Sequence, residues 1–129
     1  MEKEIKKIRR AMGIRIKKLP RDIAVVSISS IVSKRLNLIY REENRSTNVL
    51  SFRYGKEYGE ILVCPEVVRK EAKAQKNSYE HQMTWMILHG MLHLAGLHHE
   101  SSKASARLAE KLEGKILRKL YPNKQSANL

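Results

Sequence analysis

The spacing of apolar residues changes along the first third of the chain, and each spacing predicts either a helix or a strand. In residues 2–13, Ile and Met recur every three or four positions among Lys and Arg, which predicts a short basic amphipathic helix. Residues 23–28 (IAVVSI) form a β-branched apolar run that is typical of a buried strand. Ser29 or Ser30 can cap a following helix that continues through about Tyr40. The N-terminal third therefore predicts the order helix, strand, helix.

Two short strand patterns occupy the middle of the chain. They are residues 47–52 (TNVLSF) and residues 60–64 (EILVC). The segment 54–59 between them begins and ends close to a glycine, which favours a turn and an antiparallel pair. Pro65 stands where a helix accepts its first residue, and a helix is predicted from there to about residue 75.

The C-terminal third predicts two helices of opposite character. Residues 79–95, with Asn77 or Ser78 as a cap, are apolar on nearly every side, which indicates a central, buried helix that Gly96 ends. Residues 102–120 carry leucine and isoleucine at four-residue spacing, and Pro122 ends that helix. Because strands and helices mix, the predicted fold class is α/β (α+β), a small mixed sheet flanked by helices with a metal site on the central helix.

The length of 129 residues favours one domain, residues 1–129, in which 1–18 form a basic N-terminal segment and 122–129 a flexible tail. No apolar stretch approaches the length that spans a bilayer, and the N-terminus lacks the apolar core of a secretory signal. The single cysteine, Cys64, fits a reducing compartment. We therefore expect a cytoplasmic protein with no membrane partner.

The charge of the chain changes the picture more than its length does. Its 26 Lys and Arg against 13 acidic residues give a net charge of +13. Such a charge attracts polyanions, and nucleic acid is the partner that it favours, although an acidic membrane surface or a merely solvated surface would also be compatible. Asp22 is the one aspartate, and no cluster of carboxylates is visible, so any metal chemistry must depend on histidine.

The histidines are concentrated in one segment, HGMLHLAGLHH, residues 89–99. His89 and His93 are four apart on the predicted helix, so both imidazoles point the same way and can reach one ion. Gly96 ends the helix and lets the chain swing back, which brings His98 or His99 toward that ion. Three protein ligands leave a fourth position open, as in catalytic rather than structural zinc sites.

The spacing HxxxHxxGxxH also occurs in metzincin proteases, with His99 as the third ligand. Those enzymes need Glu after the first histidine as a general base, and here that residue is Gly90. No methionine follows Met91, so no Met-turn exists either. Peptide hydrolysis by that route is not expected. The alternatives at this stage are a closed structural zinc with Cys64 as fourth ligand and a pair of histidines without metal.

Four segments together resemble the YbeY family of bacterial rRNA maturation factors. The histidine segment is similar to the family signature HGxLHLxGYDH, and the resemblance extends over about residues 23–121. The other three segments are Asn37, Tyr40 and Arg41 (NxxYR), residues 47–52 (TNVLSF) and residues 59–64 (GEILVC).

The resemblance implies a single-domain, metal-dependent endoribonuclease that cleaves single-stranded RNA. It implies one Zn²⁺ per chain on His89, His93 and His99, and a catalytic role for Arg41. The implied partners are rRNA and the small ribosomal subunit, in 16S rRNA 3′-end processing and ribosome quality control. We expect a monomer.

The chain departs from the family pattern at several positions. His98 stands where the family has Asp, Leu97 where it has Tyr, and Ser46 where Pro is common. His98 is therefore a second candidate catalytic residue, able to orient a ligand or to transfer a proton. The N-terminal region is also shorter than in the family, so an edge strand is expected to be missing or to be replaced by residues 1–18.

Two other functions fit the sequence. One is a non-catalytic ribosome-assembly factor with a structural zinc, in which the basic surface binds RNA. The other is a metal hydrolase acting on a peptide or a small ester, whose turnover would be indifferent to salt, whereas RNA binding weakens steeply as counterions compete.

Overall fold

A computed structural model describes residues 2–13, 18–97 and 102–122 of the chain. Within those ranges the chain forms five helices and three strands in a single α+β domain. In chain order these are α1 (Glu2–Met12), β1 (Asp22–Ser27), α2 (Ser30–Arg41), β2 (Val49–Arg53), β3 (Tyr58–Val63), α3 (Pro65–Gln75), α4 (Tyr79–Leu94) and α5 (Lys103–Leu120).

Serine side chains begin three of the helices as the sequence predicts. Ser29, Ser78 and Ser102 each accept a hydrogen bond from a backbone N–H three residues later, at the start of α2, α4 and α5. Each bond satisfies one of the N–H groups that a helix start leaves without an intrahelical partner. The helix boundaries are thus local features that the sequence encodes directly.

The three strands form a mixed sheet in the order β1-β3-β2. β1 runs parallel to β3, and β2 runs antiparallel to it, which confirms the predicted mixed sheet and the predicted hairpin. Since side chains alternate between the two faces of a strand, the register divides the sheet into two surfaces. One face carries Val49, Ser51, Ile61 and Val63; the other carries Leu50, Phe52, Glu60 and Leu62.

Helix α4 packs on the first of these faces and forms the centre of the core. Most of its side chains are buried, which confirms the prediction of a central, buried helix. Gly90 permits the close contact, because a Cβ there would lie 2.8 Å from Ser51 Oγ and 3.0 Å from Ile61 Cγ2. No helix within the described ranges is both long and apolar enough to cross a membrane.

Strand β1 differs from its prediction. The apolar run predicts a buried strand, but none of its residues is buried and Val26 is 42% exposed. The physical reason is that the central helix α4 packs mainly against β2 and β3, whereas the helix that packs against β1 is α1. The N-terminal residues form helix α1, which packs against α4, α5 and β1. Residues 2–12 therefore form a helix, and within the described residues no strand precedes β1.

Candidate functional site

The predicted site residues that the structure describes converge on one pocket. The pocket has a volume of about 330 Å³ and follows the outer edge of β2. Helix α4 contributes one wall with His89 and His93, and the C-terminal end of α2 contributes the other with Tyr40 and Arg41. Residues 49–52 of β2 form the floor between them.

The two histidines occupy the last turns of α4. Their four-residue spacing places them on the same side of the helix, and both are half-buried on an otherwise buried element. Gly96 follows the helix with φ of 88°, a left-handed conformation that few other residues adopt without strain. The predicted end of the helix at Gly96 is therefore confirmed, because α4 ends at Leu94 and Gly96 takes the left-handed conformation.

A buried glutamate from the last helix holds His89 in place. Glu113 is 7% exposed, and its Oε2 lies 2.9 Å from His89 Nδ1. Its other oxygen accepts a 2.8 Å hydrogen bond from Trp85 Nε1. Because a carboxylate accepts, this contact favours a proton on His89 Nδ1 and leaves Nε2 as the nitrogen with the lone pair. The arrangement is the one in which a carboxylate orients a metal-ligating imidazole.

Sequence reasoning missed Glu113. It lies 24 residues after His89, and nothing in the local pattern connects the two. One signal was present: Glu113 interrupts the apolar stripe of α5 next to Leu112 and Ile116, where a charged residue needs a partner.

The donor set suits an imidazole-bound metal, although only part of it is described. Within residues 2–13, 18–97 and 102–122, no three His, Cys, Asp or Glu side chains are grouped so that they could hold an ion. His98 and His99 lie outside those ranges, so the predicted third ligand and the second candidate catalytic residue stay predictions. Cys64 is fully buried and does not line the pocket, which gives no support to the closed-site alternative.

Gly90 explains why the metzincin pattern fails at this site. The position after the first histidine faces Ser51 and Ile61 on the sheet, where even a methyl group meets atoms at 2.8 and 3.0 Å. A glutamate there would have to displace the sheet from α4. The position therefore serves packing and is closed to a general base.

Arg41 is the last residue of α2, and hydrogen bonds fix that helix beside the pocket. Ser33 Oγ donates to Thr47 O and accepts from Thr47 N, both at 2.8 Å. Asn37 Nδ2 donates to Arg45 O at 2.9 Å. Tyr40, next to Arg41, packs its ring edge-on against Phe52 at 5.0 Å between centroids. These contacts hold the C-terminal end of α2, and with it Arg41, at the pocket that His89 and His93 also line.

Several polar residues near the loops have structural partners instead of an open approach to RNA. Arg53 donates to Leu94 O at 2.6 Å and to Lys18 O at 2.7 Å, and thereby ties β2 to the end of α4. Arg45 pairs with Glu43, and Asn48 donates to Glu71 at 3.0 Å. These three side chains therefore have partners within the protein.

His81, at the beginning of α4, lies apart from this pocket. It is 7% exposed, and its ring lies 4.8 Å from the ring of Tyr121. It is thus a buried packing residue at the beginning of α4 and not a surface group. It does not line the pocket that His89 and His93 share.

Comparison with known proteins agrees with this fold. A family model described as Endoribonuclease YbeY matches residues 1–121. A protein of that name from Bdellovibrio bacteriovorus is 31% identical over 108 residues, which cover 82% of this chain and 72% of the relative. One from Ruthia magnifica is 36% identical over 118 residues, which cover 84% and 81%.

The solution structure of TM1509 from Thermotoga maritima is similar in fold as well. It superimposes with a TM-score of 0.66 at 28% sequence identity, over 98% of this chain and 84% of that one. A family match over nearly the whole sequence, relatives above 30% identity and a common fold all agree. The chain belongs to the YbeY endoribonuclease family.

Proposed function

We propose that this protein is a metal-dependent endoribonuclease that cuts single-stranded RNA during rRNA maturation, with 16S rRNA 3′-end processing and ribosome quality control as its cellular tasks. One observation carries the proposal: His89 and His93 from α4 and Arg41 from α2 line a single pocket. That combination suits a metal ion beside a phosphate. Family membership supports RNA as the substrate.

We propose one Zn²⁺ per chain, held by His89, His93 and His99. The buried carboxylate of Glu113 on His89 Nδ1 supports this, because metal-bound histidines commonly donate their second N–H to such a group. When bound, zinc supplies Lewis acidity, which polarises a phosphoryl oxygen and eases removal of a proton from water at neutral pH.

The protein side chains bind and orient the RNA. Arg41 donates to the non-bridging oxygens of the scissile phosphate, for which a planar guanidinium has matching geometry. Glu113 keeps the proton on His89 Nδ1 throughout, so the imidazole presents the same nitrogen in every turnover. His98 transfers a proton or orients a ligand, as its position beside His99 suggests.

The size and charge of the site support single-stranded RNA. A pocket of about 330 Å³ accommodates a nucleotide with its phosphate but not a duplex. Bases of an A-form helix are also poorly accessible to side chains, whereas unstacked bases can be splayed into a site. The net charge of +13 favours a polyanionic partner, and we propose that this partner is rRNA of the small ribosomal subunit in the cytoplasm.

The test compares wild type with His93→Ala in the same purification, on single-stranded rRNA fragments, with chelator and with Zn²⁺ added back. We expect one zinc per wild-type chain, cleavage that chelator abolishes and zinc restores, and neither zinc nor cleavage in the variant. Circular dichroism on both proteins controls for folding.

Full cleavage by His93→Ala would contradict the proposal, because the activity would then come from another site or a contaminant. A wild type that holds its zinc and binds RNA without cutting it would favour the ribosome-assembly factor. Cleavage of peptides or small esters in place of RNA would favour the metal hydrolase that acts on such substrates.

A further inference from the structure

Aromatic side chains are concentrated on the sheet face that α4 does not cover. The chain has one Phe, five Tyr and one Trp. Phe52 from β2 and Tyr58 from β3 lie on that face by strand alternation, and Tyr54 pairs with Tyr58 through a 2.9 Å backbone hydrogen bond. Tyr40 of α2 joins them through its edge-on contact with Phe52. We call these four residues the aromatic face.

The aromatic face is open to solvent. Tyr40 is 62% exposed, Tyr54 58% and Tyr58 37%, while Phe52 is half-buried beneath Tyr40. Exposure of large aromatic rings to water is unfavourable. Several exposed rings side by side therefore indicate a binding surface more strongly than scattered ones do.

The rings are also held in place before anything binds. Tyr54 and Tyr58 stack with centroids 5.9 Å apart, and the Tyr58 hydroxyl donates to Glu60 at 2.9 Å. The pKa of the Tyr58 hydroxyl is raised because this hydrogen bond and the nearby negative charge favour the protonated form. Fixed rings lose little conformational entropy on binding, so such a surface is preorganised.

The aromatic face is continuous with the pocket. Tyr40 and Phe52 line it together with Arg41, His89 and His93. An RNA strand whose phosphate lies between Arg41 and the histidines would therefore lead its neighbouring nucleotide directly onto this surface. Lys56, in the turn between Tyr54 and Tyr58, is exposed and adds a positive charge beside the strand.

We propose that the aromatic face is a stacking platform for the bases next to the scissile phosphate of single-stranded RNA. This inference rests on the proposed function and adds where the strand lies. Stacking on aromatic rings is tolerant of sequence, because every base has a π-face, and it requires unpaired bases. The platform would thus select single strands, while the pocket selects the phosphate.

The test measures the affinity of the full chain for two short oligonucleotides by fluorescence anisotropy. Both are single-stranded and 2′-O-methylated, with their integrity checked on a gel; the second has abasic sugars at the positions that would stack. We expect Tyr54→Ala to weaken binding of the first probe about tenfold and of the abasic probe less than about twofold. Tyr54→Phe keeps the ring and should bind as wild type does.

A matched control is Tyr79→Ala, since Tyr79 is 39% exposed at the start of α4 and lies under Arg69 instead of on the aromatic face. It should leave both affinities unchanged. The salt dependence gives a second readout: Tyr54→Ala should keep the wild-type slope, because a ring releases no counterions.

Equal weakening of both probes by Tyr54→Ala, or no weakening of either, would overturn the platform. So would a Tyr54→Ala variant that binds RNA normally but loses a dimer seen for wild type in sedimentation, since the face would then belong to a second copy. If RNA cleavage is normal in these cases, the proposed function stands while this inference fails. A wild type that neither binds nor cuts RNA would remove both.

Discussion

The two helices that wall the pocket are held in opposite ways. Helix α4 is buried on almost all sides, and its histidines project from the core. Helix α2 buries only Ser33 and Asn37, both polar, while its apolar residues Ile31 and Ile39 are 72% and 62% exposed. Packing therefore fixes the wall with the proposed metal ligands, and a few hydrogen bonds fix the wall with Arg41.

This difference matches what each wall is proposed to do. Metal ligands must hold their positions closely, and a close-packed core resists displacement. A phosphate-binding arginine tolerates small movements, because its side chain is long and its target is a diffuse charge. Close packing is therefore concentrated at α4, beside the proposed metal, and does not extend to α2 on the other side of the pocket.

The largest expected difference between the two helices is the loss of stability when an isoleucine of each is replaced by alanine. Ile87 of α4 is fully buried, so Ile87→Ala should lower the free energy of unfolding by about 2–5 kcal/mol. Ile39→Ala removes the same atoms from an exposed position of α2 and should change it by less than about 0.5 kcal/mol. Urea unfolding of both variants measures the two values, and equal losses would show that α2 is packed as tightly as α4.

The next effect concerns the carboxylate beneath His89. Glu113→Gln should lower zinc affinity by about 10- to 100-fold, because the amide no longer holds the His89 Nδ1 proton with a full charge. Calorimetric titration of zinc into metal-free protein measures it. The environment of Trp85, the one tryptophan, should change with it, since Glu113 accepts from its Nε1.

Glu110→Gln is the matched control, as an exposed glutamate on the same helix. It should bind zinc as wild type does. Wild-type zinc affinity in Glu113→Gln would contradict the orienting role.

A smaller effect is expected where α2 is anchored. Ser33→Ala leaves the N–H and C=O of Thr47 without this side-chain partner, which should cost about 1–3 kcal/mol. Hydrogen exchange should rise in α2 and in residues 45–47 but not in α4. Lys34→Ala, an exposed neighbour, should leave exchange unchanged, and a rise in α4 on Ser33→Ala would mean that the two walls are not independent.

Most of the elements could be predicted from the sequence, because their signals are local. Serine caps, Pro65 and Gly96 mark helix ends through backbone chemistry that acts within a few residues. The four-residue spacing of His89 and His93 likewise needs only helix geometry. These are the features that the structure confirms.

The rest depends on contacts between distant segments. The predicted burial of β1 was wrong because strand composition does not reveal which strands the central helix covers. Nothing in the sequence places Arg53 beside Leu94 O, 41 residues later, although this bond ties β2 to α4. Glu113 was missed for the same reason, and the packing role of Gly90 appears only once α4 lies on the sheet.

The most direct test of the account is a comparison of neighbouring histidines, His99→Ala and His98→Ala, with zinc content and RNA cleavage measured on the same preparations. The account predicts that His99→Ala loses both zinc and cleavage, and that His98→Ala keeps its zinc while cleavage slows. A His99→Ala variant that retains one zinc per chain and full cleavage would contradict the central claim that His89, His93 and His99 hold the metal that cuts RNA.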